Sequence, residues 1–347
     1  MQILRYDTRD YIVTDLNPIE DILNLITVLK SNGFTSDMLR TIHKFTDAKE
    51  IKKVSKLISL HTDIAVSLAD QAFTGSPETS FLPLYYSTLN LSKILLLFLG
   101  KRTELELNRW HGASYLEKEM RRDFLNEEIV IKPKGTIPLI YSSITGKSIG
   151  RALKVSLDEL YPYISGIGAE YTICTNKAQK LMAHETTIIR DDANGHYLHI
   201  NVFTDNYIIN PPITKKIKAY PSLIPKTPAN PNHFYETKKI KGRYETIERN
   251  LLSSINRYLN SDSFFGNSNK WISYTPISSK EHVFNEDLCI MLAYFHLSNV
   301  VRYNPEHLNK IMDSKYWIIL LALRKHGYLR FLKLMWGNFN KKVFDTA

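Results

Sequence analysis

The stretch from Phe81 to Gly112, FLPLYYSTLNLSKILLLFLGKRTELELNRWHG, limits what this chain can fold into more than any other. Pro83 suits a first helical turn, where the amide it lacks would have no intrahelical partner. Leu84 to Leu99 is apolar on nearly every side, and Gly100 is a natural stop. A helix that is apolar all round must be enclosed by other protein elements or by lipid. A spanning helix needs about 20 mostly apolar residues, whereas this run carries Asn90 and Lys93 in its middle. It therefore reads as a central core helix. Asn90 and Lys93 are candidates for lining a pocket; the ordinary alternative is a lysine that snorkels to the surface beside an internally satisfied amide.

Elements on either side follow from local signals. Asn17-Pro18-Ile19-Glu20 is a helix start, and Ile19, Ile22, Leu23, Ile26 and Leu29 recur at helical spacing up to a stop at Asn32-Gly33. A second helix is expected from Ser36 to Phe45 and a third, longer one from Ala48 to Phe73. His61 falls on the apolar stripe of the third and reads as a core histidine with one hydrogen bond, not a ligand. The period then changes. Glu128 to Lys132 and Ile137 to Tyr141 both alternate around Pro133-Lys134-Gly135, which predicts a hairpin. Ser156 with Glu159 forms a capping box for a short helix from Leu157 to Ile164. Asn194-Gly195 between His184–Arg190 and His196–Phe203 predicts a second hairpin. A helix from Tyr244 to Leu259, a short strand from Trp271 to Tyr274 and helices from Asn285 and from Asn304-Pro305 complete the pattern, with an apolar helical tail from Tyr316 to Phe339. The expected fold class is α+β: helical parts at 1–125 and 245–347, the second packing back on the first, around a small antiparallel sheet inserted at 126–244.

The net charge of +10 and pI near 9.3 favour an anionic partner. That charge is concentrated. Pro211 to Tyr244 holds six prolines and the cations Lys215, Lys216, Lys218, Lys226, Lys238, Lys239, Lys241 and Arg243 against one acid, Glu236, a local balance of 8 − 1 = +7. Tyr220, Phe234, Tyr235 and Tyr244 are interleaved with them. Lysines alternating with rings can follow a phosphate backbone while the rings stack on unpaired bases, so this arm is the expected nucleic-acid contact, to RNA or DNA. Its bland counterpart is a solvated insertion with no dedicated partner. Two distant cysteines and an N-terminus without an apolar leader core fit a cytoplasmic protein with reduced thiols.

Three segments together resemble the bacterial YaaC-like family: YYSTLNLSKILLLFLG with the following His111-Gly112; Lys134-Gly135-Thr136-Ile137 with Leu157-Asp158-Glu159-Leu160-Tyr161-Pro162-Tyr163-Ile164; and His296-Leu297-Ser298-Asn299-Val300-Val301-Arg302-Tyr303-Asn304-Pro305-Glu306. The resemblance covers about residues 80 to 340, apart from the basic arm, and implies a helical shell around a small sheet. The helical parts are similar to HEPN-type domains, whose active members are metal-independent ribonucleases carrying an Arg, four to six residues, then a His. Arg302 and His307 fit that spacing. The resemblance implies that Arg302 grips a phosphate and that His307 moves the proton of a 2′-hydroxyl or leaving oxygen. Tyr303 departs from the small polar residue usual after that Arg. The spacing also occurs between Arg190 and His196, as expected of so short a motif.

Other chemistries are weaker. Thr145-Gly146-Lys147-Ser148 matches the end of a P-loop, but Tyr141 stands where glycine is required. His196 and His199 lie three apart on a strand and point to opposite faces. No metal, nucleotide or flavin cofactor is expected. Two functional readings follow: a nucleic-acid-contacting protein whose catalytic form is a HEPN-like endoribonuclease in antiviral defence, or a non-catalytic subunit of a larger complex, docked to a protein partner or a second copy. Neither involves a membrane.

Overall fold

The computed structural model describes residues 8–12, 17–115, 123–191, 195–202, 224–225, 234–236, 270–276 and 284–346. In chain order the elements are β1 (Thr8–Ile12), α1 (Pro18–Thr27), α2 (Asn32–Thr41), α3 (Ala48–Thr74), α4 (Phe81–Phe98), α5 (Arg102–Leu107), β2 (Ala113–Tyr115), β3 (Glu128–Ile131), α6 (Thr136–Thr145), β4 (Leu153–Ser156), α7 (Leu157–Leu160), α8 (Gly168–Thr175), β5 (Leu181–Asp191), β6 (Gly195–Val202), β7 (Ile224–Pro225), β8 (Phe234–Glu236), β9 (Lys270–Pro276), α9 (Glu286–Tyr303), α10 (Pro305–Met312), α11 (Trp317–Ala322), α12 (Tyr328–Asn340) and β10 (Lys342–Thr346). A π-helical turn, Leu323–Gly327, joins α11 to α12. The assembly is largely helical, and the antiparallel sheet β2-β3-β4 is set within it.

Helix α4 is the core that its composition demands. Among the described residues it alone is long and apolar enough to cross a membrane, and 78% of it is buried inside the protein. α3, α9 and α12 pack on it. Its polar residues are satisfied where they meet those neighbours: Ser87 donates to the Ala65 carbonyl at 2.7 Å and pairs with the Tyr328 hydroxyl at 2.7 Å. Ser92 meets Met291 and Tyr85 meets Phe295, so α9 runs antiparallel along α4.

Local signals placed most helix starts. Asn17 accepts from the Glu20 amide with Pro18 at the first position, the Ser156–Glu159 capping box forms, and Asn304 accepts from the His307 amide at the head of α10. Asn32-Gly33 does not end a helix at a loop. Ser31 caps α2 there, its side chain accepting from the Phe34 amide, so the second helix begins four residues before Ser36. The second hairpin forms as β5 against β6, and β9 pairs on the other edge of β5. The basic arm lies almost wholly outside the described residues, which there give only the short strands β7 and β8, and so does the helix expected from Tyr244 to Leu259.

One expectation is overturned. Ile137 to Tyr141 is not the second strand of a hairpin; it lies in α6, and β3 pairs instead with β2 and β4. A short apolar run is compatible with either structure, and Pro138 sits in the first helical turn, where an absent amide costs nothing. The deciding contact is distant. Gly112 and Gly135 both take left-handed φ, +78° and +128°, and an added Cβ at Gly135 would lie 2.3 Å from the Gly112 Cα. This backbone crossing lets the Trp110 and His111 carbonyls accept the Thr136 and Ile137 amides, each at 2.9 Å, which caps α6.

Two predictions follow from this packing. Gly135→Ala should lower unfolding stability by more than about 2 kcal/mol, since both backbone conformation and contact forbid a side chain; urea unfolding reads it, and a loss under about 0.5 kcal/mol would contradict the crossing. His43 is stacked on Phe98 with its Nε2–H donating to the Phe339 carbonyl at 2.7 Å. Burial pushes its imidazole down to about 4 from 6.5. The unfolded chain therefore binds the extra proton first, so this contribution is complete above pH 6.5 and is lost as pH falls towards 4, on the order of 3 kcal/mol in all. Unfolding measured at pH 7 and pH 4.5 should show a smaller drop in His43→Gln than in the native chain; equal drops would remove His43 from the acid response.

Candidate functional site

The turn from α9 to α10 has an inner and an outer side. On the inner side Glu127, fully buried where a 3₁₀ turn enters β3, accepts three hydrogen bonds. His296 Nε2–H of α9 donates at 2.7 Å, His307 Nε2–H of α10 at 2.5 Å, and the Tyr115 hydroxyl of β2 at 2.9 Å. Burial works to raise this carboxyl, yet the bonds donated by the two histidines outweigh it and hold it below the usual value. His296 is boxed edge-on by Tyr115 and Phe124. The Glu127 oxygens are satisfied by these donors, while His296 Nδ1 is buried without a partner, and among the described residues no cluster of His, Cys, Asp and Glu is placed to hold a metal ion.

The outer side is cationic. Arg302, in the last turn of α9, is exposed; its Cζ lies 5.6 Å from the ring centres of both Tyr86 and Tyr303. One guanidinium nitrogen donates to the Tyr86 hydroxyl at 2.9 Å and another reaches the Tyr303 hydroxyl at 3.4 Å. These two bonds, Tyr303 first, raise the guanidinium further above its ordinary value. It has no carboxylate partner among the described residues. His111 approaches the same place from the turn after α5, with Nδ1 2.6 Å from the Tyr85 hydroxyl and its ring against Tyr86 and Phe295.

Arg302 and His307 thus occupy the helix end and helix start that their spacing implies, but their side chains diverge. Arg302 faces out over tyrosine rings, while His307, 8% exposed, turns inward to Glu127. The candidate contacts Lys215, Lys216, Lys218, Lys238, Lys239, Lys241 and Arg243 lie outside the described residues. Elsewhere, an open hollow of about 750 Å³ is lined by Asp123, Glu128, Asp158, Glu159 and Lys180. Its acids Asp123, Glu128, Asp158 and Glu159 are engaged by Tyr316, Lys154, Lys177 and the Ser156 amide.

Sequence reasoning missed Glu127 and Tyr86. An acid in Asn126-Glu127-Glu128 beside a strand looks like a solvated edge, and its three donors lie 12 to 180 residues away. Tyr86 had one usable signal: it shares a helical stripe with Asn90 and Lys93 at i, i+4 and i+7.

Removing the central charge should be costly. Glu127→Gln cannot accept on both side-chain atoms, so at least one buried histidine loses its acceptor, and stability should fall by about 3–5 kcal/mol. Glu128→Gln, which breaks the more exposed pair with Lys154, should cost under about 1 kcal/mol. Urea unfolding of both variants checks this; similar losses would deny Glu127 its central role.

Neither the curated proteins nor the solved structures contain a match to this sequence. The family model described as YaaC-like Protein matches residues 27–335. It spans α2 through most of α12, including Glu127, both histidines of the inner cluster and Arg302, and so the chain belongs to the YaaC-like protein family.

Proposed function

We propose that this YaaC-like chain contacts nucleic acid, RNA or DNA, and that Arg302 is a phosphate contact. The observation that carries the reading is an exposed guanidinium held by two tyrosines and, among the described residues, by no carboxylate. Such an arginine keeps most of its five donors for a phosphate, and Tyr303, 61% exposed, offers a ring face for a base. The basic arm with Lys215, Lys216, Lys218, Lys238, Lys239, Lys241 and Arg243 extends the same charge in sequence. His307 acts as a brace, tying α10 to Glu127. On this reading the protein is a binding subunit, and its cytoplasmic setting and protein partners belong to the proposal.

The catalytic reading rests on the Arg302-x4-His307 spacing across a helix corner. A HEPN-like, metal-independent ribonuclease acting in antiviral defence needs His307 to exchange Glu127 for a ribose hydroxyl, which exposes a buried carboxylate. The present hydrogen bonding favours the binding subunit.

Anisotropy with an unstructured 20-mer oligoribonucleotide, repeated from 50 to 300 mM salt, tests both. Arg302→Ala should weaken binding about tenfold and flatten the log–log salt slope by about 0.7, the loss of one single-strand phosphate contact. Unchanged affinity and slope would reject Arg302 as the contact. Cleavage of the oligomer by the native chain, abolished in a folded His307→Ala, would replace the binding reading with the catalytic one.

A further inference from the structure

The outer side of the α9–α10 corner continues along α4 into a second group of cations. Tyr86, Asn90 and Lys93 share one stripe of that helix, and long helical side chains lean towards the helix N-terminus, which carries Lys93 back over Asn90 towards Tyr86. Lys93 is partly buried and makes neither hydrogen bond nor ion pair with a described residue. Asn90 is already committed: its Nδ2 donates to the Tyr86 carbonyl at 2.7 Å, and its Oδ1 accepts from His61 Nδ1–H at 2.7 Å. It shapes the site without filling it.

The hydrogen bonds define which atoms remain. Tyr85 is 2% exposed, and the acceptor it meets is His111 Nδ1. A buried hydroxyl that donates there leaves the ring proton of His111 on Nε2, which bonds no described residue. The Tyr86 hydroxyl accepts from Arg302 and so keeps its own hydrogen to give. Lys93 Nζ, His111 Nε2, the Tyr86 O–H and the unused N–H groups of Arg302 are all donors, drawn from α4, the turn after α5, and α9. No described carboxylate is paired with any of them.

Like charges gathered in this way work against one another. Burial lowers the Lys93 ammonium. Burial first, and then the charges of Lys93 and Arg302, lower His111. Burial and Lys93 likewise lower His61, against its bond to Asn90. A bound dianion reverses each of these effects, because it stabilises the charged form of every group it meets. A monocarboxylate offers one charge and two coplanar oxygens. Donors arriving from three elements suit a tetrahedral group with three free oxygens and two negative charges.

We propose that Lys93, His111, Tyr86 and Arg302 form a site for a phosphate monoester dianion, held as inorganic phosphate or as the terminal phosphate of a nucleic acid. This rests on the nucleic-acid reading to the extent that the two share Arg302, and it deepens that reading by distinguishing a terminal phosphate from an internal phosphodiester.

The test uses the full chain in phosphate-free buffer, with inorganic phosphate titrated calorimetrically and 5′-phosphorylated and 5′-hydroxyl forms of one oligoribonucleotide compared by anisotropy. Saturable phosphate binding is expected, together with at least a tenfold preference for the phosphorylated oligomer that Lys93→Met erases. Because a variant can fail for reasons of folding, acetylation of the native chain followed by mass spectrometry supplies the second measurement: phosphate should protect Lys93 at least fivefold over Lys154. Equal affinity for the two oligomers, with no phosphate isotherm and no protection, would overturn the site while leaving general nucleic-acid binding intact. Phosphate binding that protects Lys93, with neither oligomer bound, would establish the site for free phosphate and reject the nucleic-acid reading. Phosphate binding that is undiminished in Lys93→Met and leaves Lys93 unprotected would reject this location.

Discussion

A single carboxylate with no access to water governs how α9 and α10 meet the small sheet. Glu127 receives a hydroxyl from β2 and an imidazole from each of α9 and α10. Moving a lone carboxylate into such a place costs several kcal/mol, and only a full set of donors offsets it. The cost makes the interaction selective. Any arrangement of α9 and α10 that misplaces either histidine leaves a buried charge short of a partner, so the corner between them is restricted to one geometry. Apolar packing of α9 on α4 could tolerate sliding; hydrogen bonds to fixed carboxylate oxygens cannot.

That restriction propagates outward. His296 and Arg302 lie six residues apart on α9, about 120° apart in rotation about a helix with 3.6 residues per turn, so Arg302 turns away when His296 faces inward. With His296 and then His307 turned to the sheet, Arg302 is directed to the surface, over Tyr86. The Gly112–Gly135 crossing acts on the other wall. It holds the turn that carries His111 against the start of α6, through carbonyl bonds that also cap that helix. Tyr85 then fixes the imidazole from beneath. The cations of the outer side are therefore set by elements whose own positions are decided elsewhere, in the sheet and the glycine contact.

Legibility in the sequence follows the range of the interaction. Asn17, Ser156 and Asn304 cap helices through atoms three residues away, and such pairs can be read directly from the chain. α3 and α4 are long enough for their apolar patterns to average out accidents, and their expected limits lie within three residues of those observed. The hairpin that does not form shows the opposite case. Ile137–Tyr141 carries a pattern common to strand and helix, and what decides it is the approach of Gly112 to Gly135, 23 residues apart in the chain. Glu127 is harder still, because nothing near it distinguishes an acid with three buried donors from one facing water. The Arg302–His307 spacing was legible, and the caps around it formed, but the direction of the imidazole depends on Glu127. Spacing along a chain gives the distance between backbones; the partners of the side chains give their direction.

The two sides of the corner obey opposite electrostatic rules, and the contrast argues for function on only one of them. Inside, one negative group meets three donors, and the carboxylate's own hydrogen bonding closes. A carboxylate closed in that way stabilises a fold and leaves no unmet charge for a ligand. Outside, Lys93, His111 and Arg302 are paired with no described acid; burial lowers the lysine, and burial first and then the two neighbouring cations lower the histidine. A methionine at position 93 would fill the same partly buried volume without that penalty, and stability alone gives no reason to keep a cation there. Cationic donors left without a described partner at a partly buried site are poised to be stabilised by something negative that arrives from solution. On the proposed reading the fold supplies the rigidity from the closed side and leaves the unmet charge on the open side, where a phosphate completes it.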